Sequence, residues 1–325
     1  MATSLAFTNS VDVTDAANFI PQVYSLEVLA PYKKNLVMAN LVTVLNHKGK
    51  KGNTINIPVP VRGDASAKSA NNVVTLITNT EGTIAVSIDQ HWEYSRVIED
   101  IVEFQALPSL RRFYMNDAGY ALAKRVDTSL HNLAATWGGA TAYEGTAANN
   151  TGAVIGSDGS TQWSDADAGN GATISDAGIR RVTQELDDTD TPTRDRYLVI
   201  PPVEKRKMLA EARFTEQSFV GERGSENSIR TGFVMPLYGA DVYVSSNCAT
   251  LTASNDLTQY RAALYFQKES LVLAEQVAPR VQTQYKLEAL GTLVTSDMLY
   301  GVKTVRGGTE AGDGVGCKAI IVPAT

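Results

Sequence analysis

Three histidines, His47, His91 and His131, are the whole supply of the commonest general base in this sequence of 325 residues. His47 and His91 stand at the two ends of a strand-turn-strand pattern that would fold them towards each other. A metal-dependent hydrolase using that pair is one reading of the chemistry. No cysteine or convincing carboxylate accompanies either residue, and two imidazoles alone make a poor metal site. A structural role suits the histidines better. No Gly-x-Ser-x-Gly elbow occurs, so nothing marks a nucleophile for acyl transfer.

Two glycine-rich stretches invite a ligand reading and fail it. "GGTEAGDGVG", Gly307 to Gly316, lacks the spacing of a dinucleotide loop, and no Gly-Lys-Ser/Thr follows it. "DADAGNG", Asp165 to Gly171, faintly echoes a calcium loop, but Gly169 stands where an Asp or Asn is needed and no closing Glu follows. Asp187 and Asp188 read as the solvated end of a helix. Asn149-Asn150-Thr151 matches a glycosylation triplet without any sign of secretion around it. The two cysteines, Cys248 and Cys317, form no disulfide framework, which fits a reducing cytoplasm. With no cofactor motif, metal set or catalytic set, the chain is not read as an enzyme.

Charge narrows the partners. The formal net charge is −6, from 29 basic and 35 acidic side chains, which argues against a strongly basic nucleic-acid binder. The first residues carry no basic-then-apolar signal, and no apolar run approaches the roughly 20 residues of a membrane helix. One local excess runs the other way: Lys48, Lys50, Lys51, Arg62 and Lys68 outnumber Asp64 and Glu81 between residues 48 and 88. Such a cluster either keeps a strand edge soluble or docks on acidic neighbours of another chain.

The elements that would hold these residues alternate between two periods. Residues 1–20 are small and polar, and "VYSLEVLAPYKKNLVMANLV" then suggests two short helical pieces split by Pro31. "TINIPVPV" places Ile55, Ile57, Val59 and Val61 on one face of a strand, and "TIAVSIDQHW" alternates again from Ile84 to Ile88. Together they predict a long two-stranded ribbon with a mostly polar tip. Pro58 and Pro60 remove two successive N–H donors from one edge of it, leaving the other edge free to pair. "RVIEDIVEFQA" predicts a short helix, and the run from Leu110 predicts one of roughly 40 Å, capped by Ser109. Residues 137–175 hold eight glycines and no Lys or Arg, which predicts an exposed insertion without a core. Thereafter "SDAGIRRVTQEL" predicts a capped helix, "RYLVIPP" a buried strand and "PVEKRKMLAEARF" a helix entered through proline. More strands follow to "CKAIIVPAT". The class is α+β.

"VYSLEVLAPYKKNLVMANLV", "KGNTINIPV", the long helix, "YGADVYVSSN" and "GTLVTSDMLYGVKTVRGG" come in this order over roughly residues 20–306. That order resembles the major capsid proteins of tailed bacteriophages, which share the Hong Kong 97 fold. "GNTINIP" is similar to the opening of their extended loop, and "LYGVKTVR" to their usual closing strand.

The resemblance implies an N-arm over 1–46, an extended β-hairpin loop over 47–92, and a peripheral domain with its spine helix over 93–136. It further implies a flexible insertion over 137–175, an axial domain over 176–270, and a return to the peripheral domain over 271–325. On this mapping Lys50, Lys51, Ile55, Ile57, Val59, Val61, Arg62 and Lys68 are subunit-interface candidates. The implied function is a structural subunit of an icosahedral head. Its hexamers and pentamers would enclose double-stranded DNA without sequence-specific binding, after assembly in the host cytoplasm. A separate scaffolding protein and a portal are the expected partners, and the insertion leaves room for a decoration protein. No membrane and no cofactor are implied. Some members cross-link a loop lysine to a neighbour's asparagine; neither the asparagine nor the catalytic carboxylate can be matched here. An encapsulin-like compartment, a tail structural protein and the His47/His91 hydrolase stay open as alternatives.

Overall fold

A computed structural model describes residues 33–34, 36–49, 51–59, 65–71, 73–74, 76, 82–101, 110–137, 139, 152–164, 168–211, 236–253, 258–305 and 316–325. The expected N-arm before Lys33 lies outside them. In chain order come α1 (Met38–Leu41), β1 (Thr43–Asn46), β2 (Thr54–Val59), β3 (Gly82–Ser87), β4 (Gln90–Glu99) and α2 (Leu110–Trp137). Then follow β5 (Val154–Ile155), α3 (Asp176–Asp188), β6 (Arg196–Ile200), α4 (Pro202–Met208) and β7 (Ala240–Val244). The chain ends with β8 (Thr250–Thr252), β9 (Gln259–Gln267), β10 (Leu271–Lys286), β11 (Gly291–Thr304) and β12 (Cys317–Pro323).

α2 is the spine of the arrangement. Its 28 residues give a length of roughly 42 Å. Ala118, Leu122, Val126, Leu130 and Ala134 recur every fourth residue and are all buried. This row packs on strands of two sheets. One sheet has the order β1-β10-β11-β4, with β1 parallel to β10 and the other pairs antiparallel. The other runs β5-β12-β9-β6-β7, with β8 also on β9.

β9 shows why the second sheet reads as a continuous apolar run. Tyr260, Ala262, Leu264 and Phe266 belong to the core shared with α2, while Ala263 and Tyr265 join Ile179, Val182, Leu186 and Met208 of α3 and α4 on the opposite face. Both faces are covered, so neither needs polar residues. The cap on α3 is as expected: Ser175 Oγ accepts from the Gly178 N–H at 3.1 Å.

Asp127, 1% exposed on α2, ties three elements together. Its Oδ1 accepts from the Val37 and Met38 N–H groups at 3.1 and 2.9 Å, supplying the donors at the start of α1 with the acceptor that Val37 itself does not provide. Its Oδ2 accepts from the Asn247 side-chain amide at 2.9 Å, in the loop before β8. His131, one turn on, is fully buried, with its Nε2 3.5 Å from Asp127 Oδ2. Burial pushes its pKa down to about 4, against the opposing pull of Asp127.

Three expectations are corrected. Arg96–Glu99 are not helical: they complete β4, which pairs with β11 from Tyr300↔Gln90 to Gly291↔Glu99. Ile98 faces inward at 4% exposure and Val97 outward at 48%, a period of two. The 137–175 insertion is not coreless, because Ala153, Val154, Trp163 and Ile174 are buried and β5 joins the second sheet beside β12. Its glycines permit a close wrap: a Cβ on Gly171 would lie 2.3 Å from the Tyr260 ring, and Trp163 stands edge-on to that ring at 5.9 Å. Finally, β12 does not return with the chain from 271 but inserts between β5 and β9.

Candidate assembly interface

The β2–β3 ribbon stands apart from both sheets, as its own two-stranded pair running from Thr54↔Ser87 to Val59↔Gly82. The Ile88 N–H donates to Asn53 O at 2.8 Å. Alternation along an antiparallel ladder then places the remaining inter-strand bonds at Ile55/Val86, Ile57/Ile84 and Val59/Gly82. Pro58, opposite Thr83, falls at a non-bonded position on the outer edge. The missing donor therefore weakens no ladder bond and leaves an edge that another strand cannot extend.

The ribbon base is clamped to the body. Lys48 Nζ lies 3.1 Å from Glu275 Oε2, the Gln276 amide donates to Gly52 O at 2.9 Å, and the His47 N–H donates to Glu275 O at 2.9 Å. At Gly301 the ribbon crosses β11 so closely that a Cβ would sit 2.0 Å from Ser87 O. Ile55 and Ile57 are half-buried against Val86, Ile88 and Ala274. Their cover thus begins within the chain itself. Further out, Val59 is 39% exposed, and Val73, Val74 and Leu76 of the tip reach 89%, 62% and 86%. Lys51 and Lys68 are exposed, while Lys50, Val61 and Arg62 lie outside the described residues.

A second apolar surface caps the far end of the β10–β11 hairpin, where Leu287, Leu290 and Ile101 are prominently exposed. Leu290 and Ile101 border a groove of about 560 Å³ lined also by Glu99, Asp100 and Glu288. Tyr285 Oη donates to Asp100 Oδ2 at 2.8 Å across the strands, and this bond holds its phenol above the usual tyrosine range. The exposed apolar residues at the two extremities are those the sequence reading passed over. The signals were "VVTLI" inside a supposedly polar tip and Leu287/Leu290 beside the Gly291 turn.

His91 is exposed, and its Nε2 sits 3.3 Å from Asp297 Oδ2. The same carboxylate receives Arg280 Nε and Nη2 at 2.8 and 2.9 Å, which holds Asp297 below the usual carboxylate range. The trio clips β4, β10 and β11 together. Among the described residues no group of three or more His, Cys, Asp or Glu could hold a metal. Cys248 and Cys317 are buried, and desolvation pushes both thiols up to about 12, so neither is a ready nucleophile. No helix of the described residues is long and apolar enough to cross a membrane.

This arrangement of a long helix, two sheets and a two-stranded ribbon superposes on solved structures. A chain of the cyanophage Pam1 capsid asymmetric unit superposes with a TM-score of 0.70 at 14% identity, over 99% of each chain. The chain has the Hong Kong 97-type capsid fold. A chain from Mycobacterium phage Che8 matches at TM-score 0.69 and 22% identity, over 97% of this chain and 98% of that one. One from the capsid of cyanophage P-SCSP1u matches at 0.67 and 18%, over 95% and 94%. No protein-family model and no curated protein matches the sequence. The Hong Kong 97-type fold thus spans nearly the whole chain, and the α+β class expected from the sequence stands. Within it, the structure brings Ile55 and Ile57 together at the ribbon base and leaves Lys51, Val59 and Lys68 facing outward.

Proposed function

We propose that this chain is the structural subunit of a phage head, assembling through its ribbon and its β10–β11 end into hexamers and pentamers around double-stranded DNA. The observation that carries the reading is the capsid fold, matched end to end, combined with exposed apolar side chains at the two extremities. An isolated two-stranded ribbon is marginal in water, and exposed apolar patches mark contact sites. A neighbouring copy supplies the cover, with Lys51 and Lys68 steering the approach. Residues 47–92 then act as the extended loop, the α2 region as the peripheral domain and the sheet built on β9 as the axial domain. Assembly relies on a separate scaffolding protein and a portal in the host cytoplasm, and the product is a virion component.

The test replaces residues 62–81 by an Asn-Gly turn. The shortened chain is expected to stay folded by circular dichroism but to form no closed shells by negative-stain microscopy when expressed with its scaffold. Shells that still close refute the role of the tip, as does a shortened chain that cannot fold. With the unaltered chain, tubes or fibres indicate a tail component. Shells filled with protein instead of DNA indicate an encapsulin-like compartment.

A further inference from the structure

We propose that one face of α2 carries a contact surface for the phosphate backbone of double-stranded nucleic acid. Asn116, Tyr120, Lys124 and Thr128 recur every fourth residue along α2 and so lie in one row. Lys33 and Lys34 are pinned above this row: Lys33 Nζ donates to Asn116 O at 3.4 Å and stands 5.1 Å from the Tyr120 ring centroid, and the Lys34 N–H donates to Tyr120 Oη at 2.7 Å. Lys124 follows one turn later. Arg261 closes the row, held by Cys248 O and Thr250 Oγ1 at 3.0 and 2.6 Å; the adjacent Asn247 bonds Thr128 Oγ1 at 2.9 Å.

Four cations are thus arrayed along roughly 18 Å of rigid helix. Among the described residues none of the four forms an ion pair. Of the two α2 carboxylates beside them, Asp127 is turned inward and occupied by Val37, Met38 and Asn247, and Asp117 accepts from Tyr94 Oη at 2.9 Å. Burial, then Lys124 and Arg261, hold the Lys34 amine below the usual lysine range, against the opposing pull of Asp127. A straight row on a rigid helix matches a stiff rod of evenly spaced charge. Duplex DNA offers one phosphate per strand about every 3.4 Å of axis, so about five lie alongside the row. The net charge of −6 does not oppose this, because a handful of contacts per copy is weak alone and gains strength from repetition across a shell. The inference adds contact to the enclosure proposed above.

The test is fluorescence anisotropy of a labelled random 20-base-pair duplex with the purified, unassembled full-length chain, from 20 to 100 mM NaCl. Three to four phosphate contacts give a log–log salt slope of about −3 to −4. The K34Q/K124Q double variant should bring the slope to about −1 to −2 and weaken binding at least tenfold at 20 mM. Its melting temperature should not fall, since a repulsive pair has been removed; K33Q supplies a second, peripheral change with a smaller loss. Absent binding at 20 mM overturns the proposal, as does a salt-independent affinity or an unaltered double variant. Equal or tighter binding of a polyglutamate peptide of matched charge also overturns it, in favour of an acidic protein partner. Shell formation by the same variants is scored separately by microscopy, so failure here is distinct from failure of the capsid reading.

Discussion

Removing the Asp127 side chain should loosen the joint between α1, α2 and the loop before β8. In Asp127→Ala the Val37 and Met38 N–H groups, buried at the start of α1, lose their shared acceptor. The Asn247 amide loses one of two partners and keeps Thr128 Oγ1. A buried donor left unpaired costs about 1–3 kcal/mol. Removing a buried charge offsets part of that, so the net loss is about 3 kcal/mol. Asp127→Asn keeps one oxygen for the two N–H groups but turns an amide towards the Asn247 amide, donor against donor, for a loss of about 1–2 kcal/mol. Urea unfolding followed by tryptophan fluorescence reads both values. A double-mutant cycle with Asn247→Ala should give a coupling of about 0.5–3 kcal/mol. Asp127→Ala within about 0.5 kcal/mol of the parent chain would refute the account of this joint.

Three further outcomes are expected. His131 is held neutral by burial, with a pKa of about 4 against an ordinary 6.5, so the unfolded chain binds the extra proton between these values. That contribution to stability is whole above pH 6.5 and lost as pH falls towards 4, by about 3 kcal/mol; His131→Leu should flatten urea midpoints over that window, and an unchanged slope contradicts it. Gly301→Ala forces a Cβ to within 2.0 Å of Ser87 O and should cost about 1–3 kcal/mol, with faster amide exchange at Val86 and Ile88; unchanged exchange there contradicts the close crossing. Pro58→Val restores an outward N–H on the ribbon's free edge and should promote concentration-dependent association in size-exclusion chromatography without altering the monomer's circular dichroism; an unchanged elution profile contradicts the edge-blocking role.

Periodicity carried the elements that bury a single regular face. The α2 stripe, the Ser175 cap and the ribbon alternation are all readable in residue order, because side-chain direction follows directly from backbone period. Arg96–Glu99 misled because Val97, Ile98 and Ile101 fit a helical spacing as well as a strand; the pairing partner, β11, lies some 200 residues away. The 137–175 region misled through composition, since Gly169 and Gly171 serve the approach to Tyr260, and Gly156 and Gly159 close approaches to neighbouring backbone, and not solvent. Of the proposed assembly surface, the ribbon's apolar face, Ile55 and Ile57 at its base included, was legible from alternation. Leu287 and Leu290 were not, because only the hairpin's length shows that they sit at an extremity. The basic row was invisible for the same reason: its members come from residues 33, 34, 124 and 261.

The position of β12 bears on when this chain becomes competent to associate. β9 cannot gain both neighbours until Cys317–Pro323 has been made, and β1 waits for β10, whose partner residues lie more than 200 positions downstream. Such distant pairings fold slowly and late. A chain that lacks β12 therefore holds an open β9 edge and leaves α2 without part of its packing surface. Closure of this sheet is thus coupled to a pairing made late in synthesis, and the body that carries the ribbon is finished only once Cys317–Pro323 has joined β9.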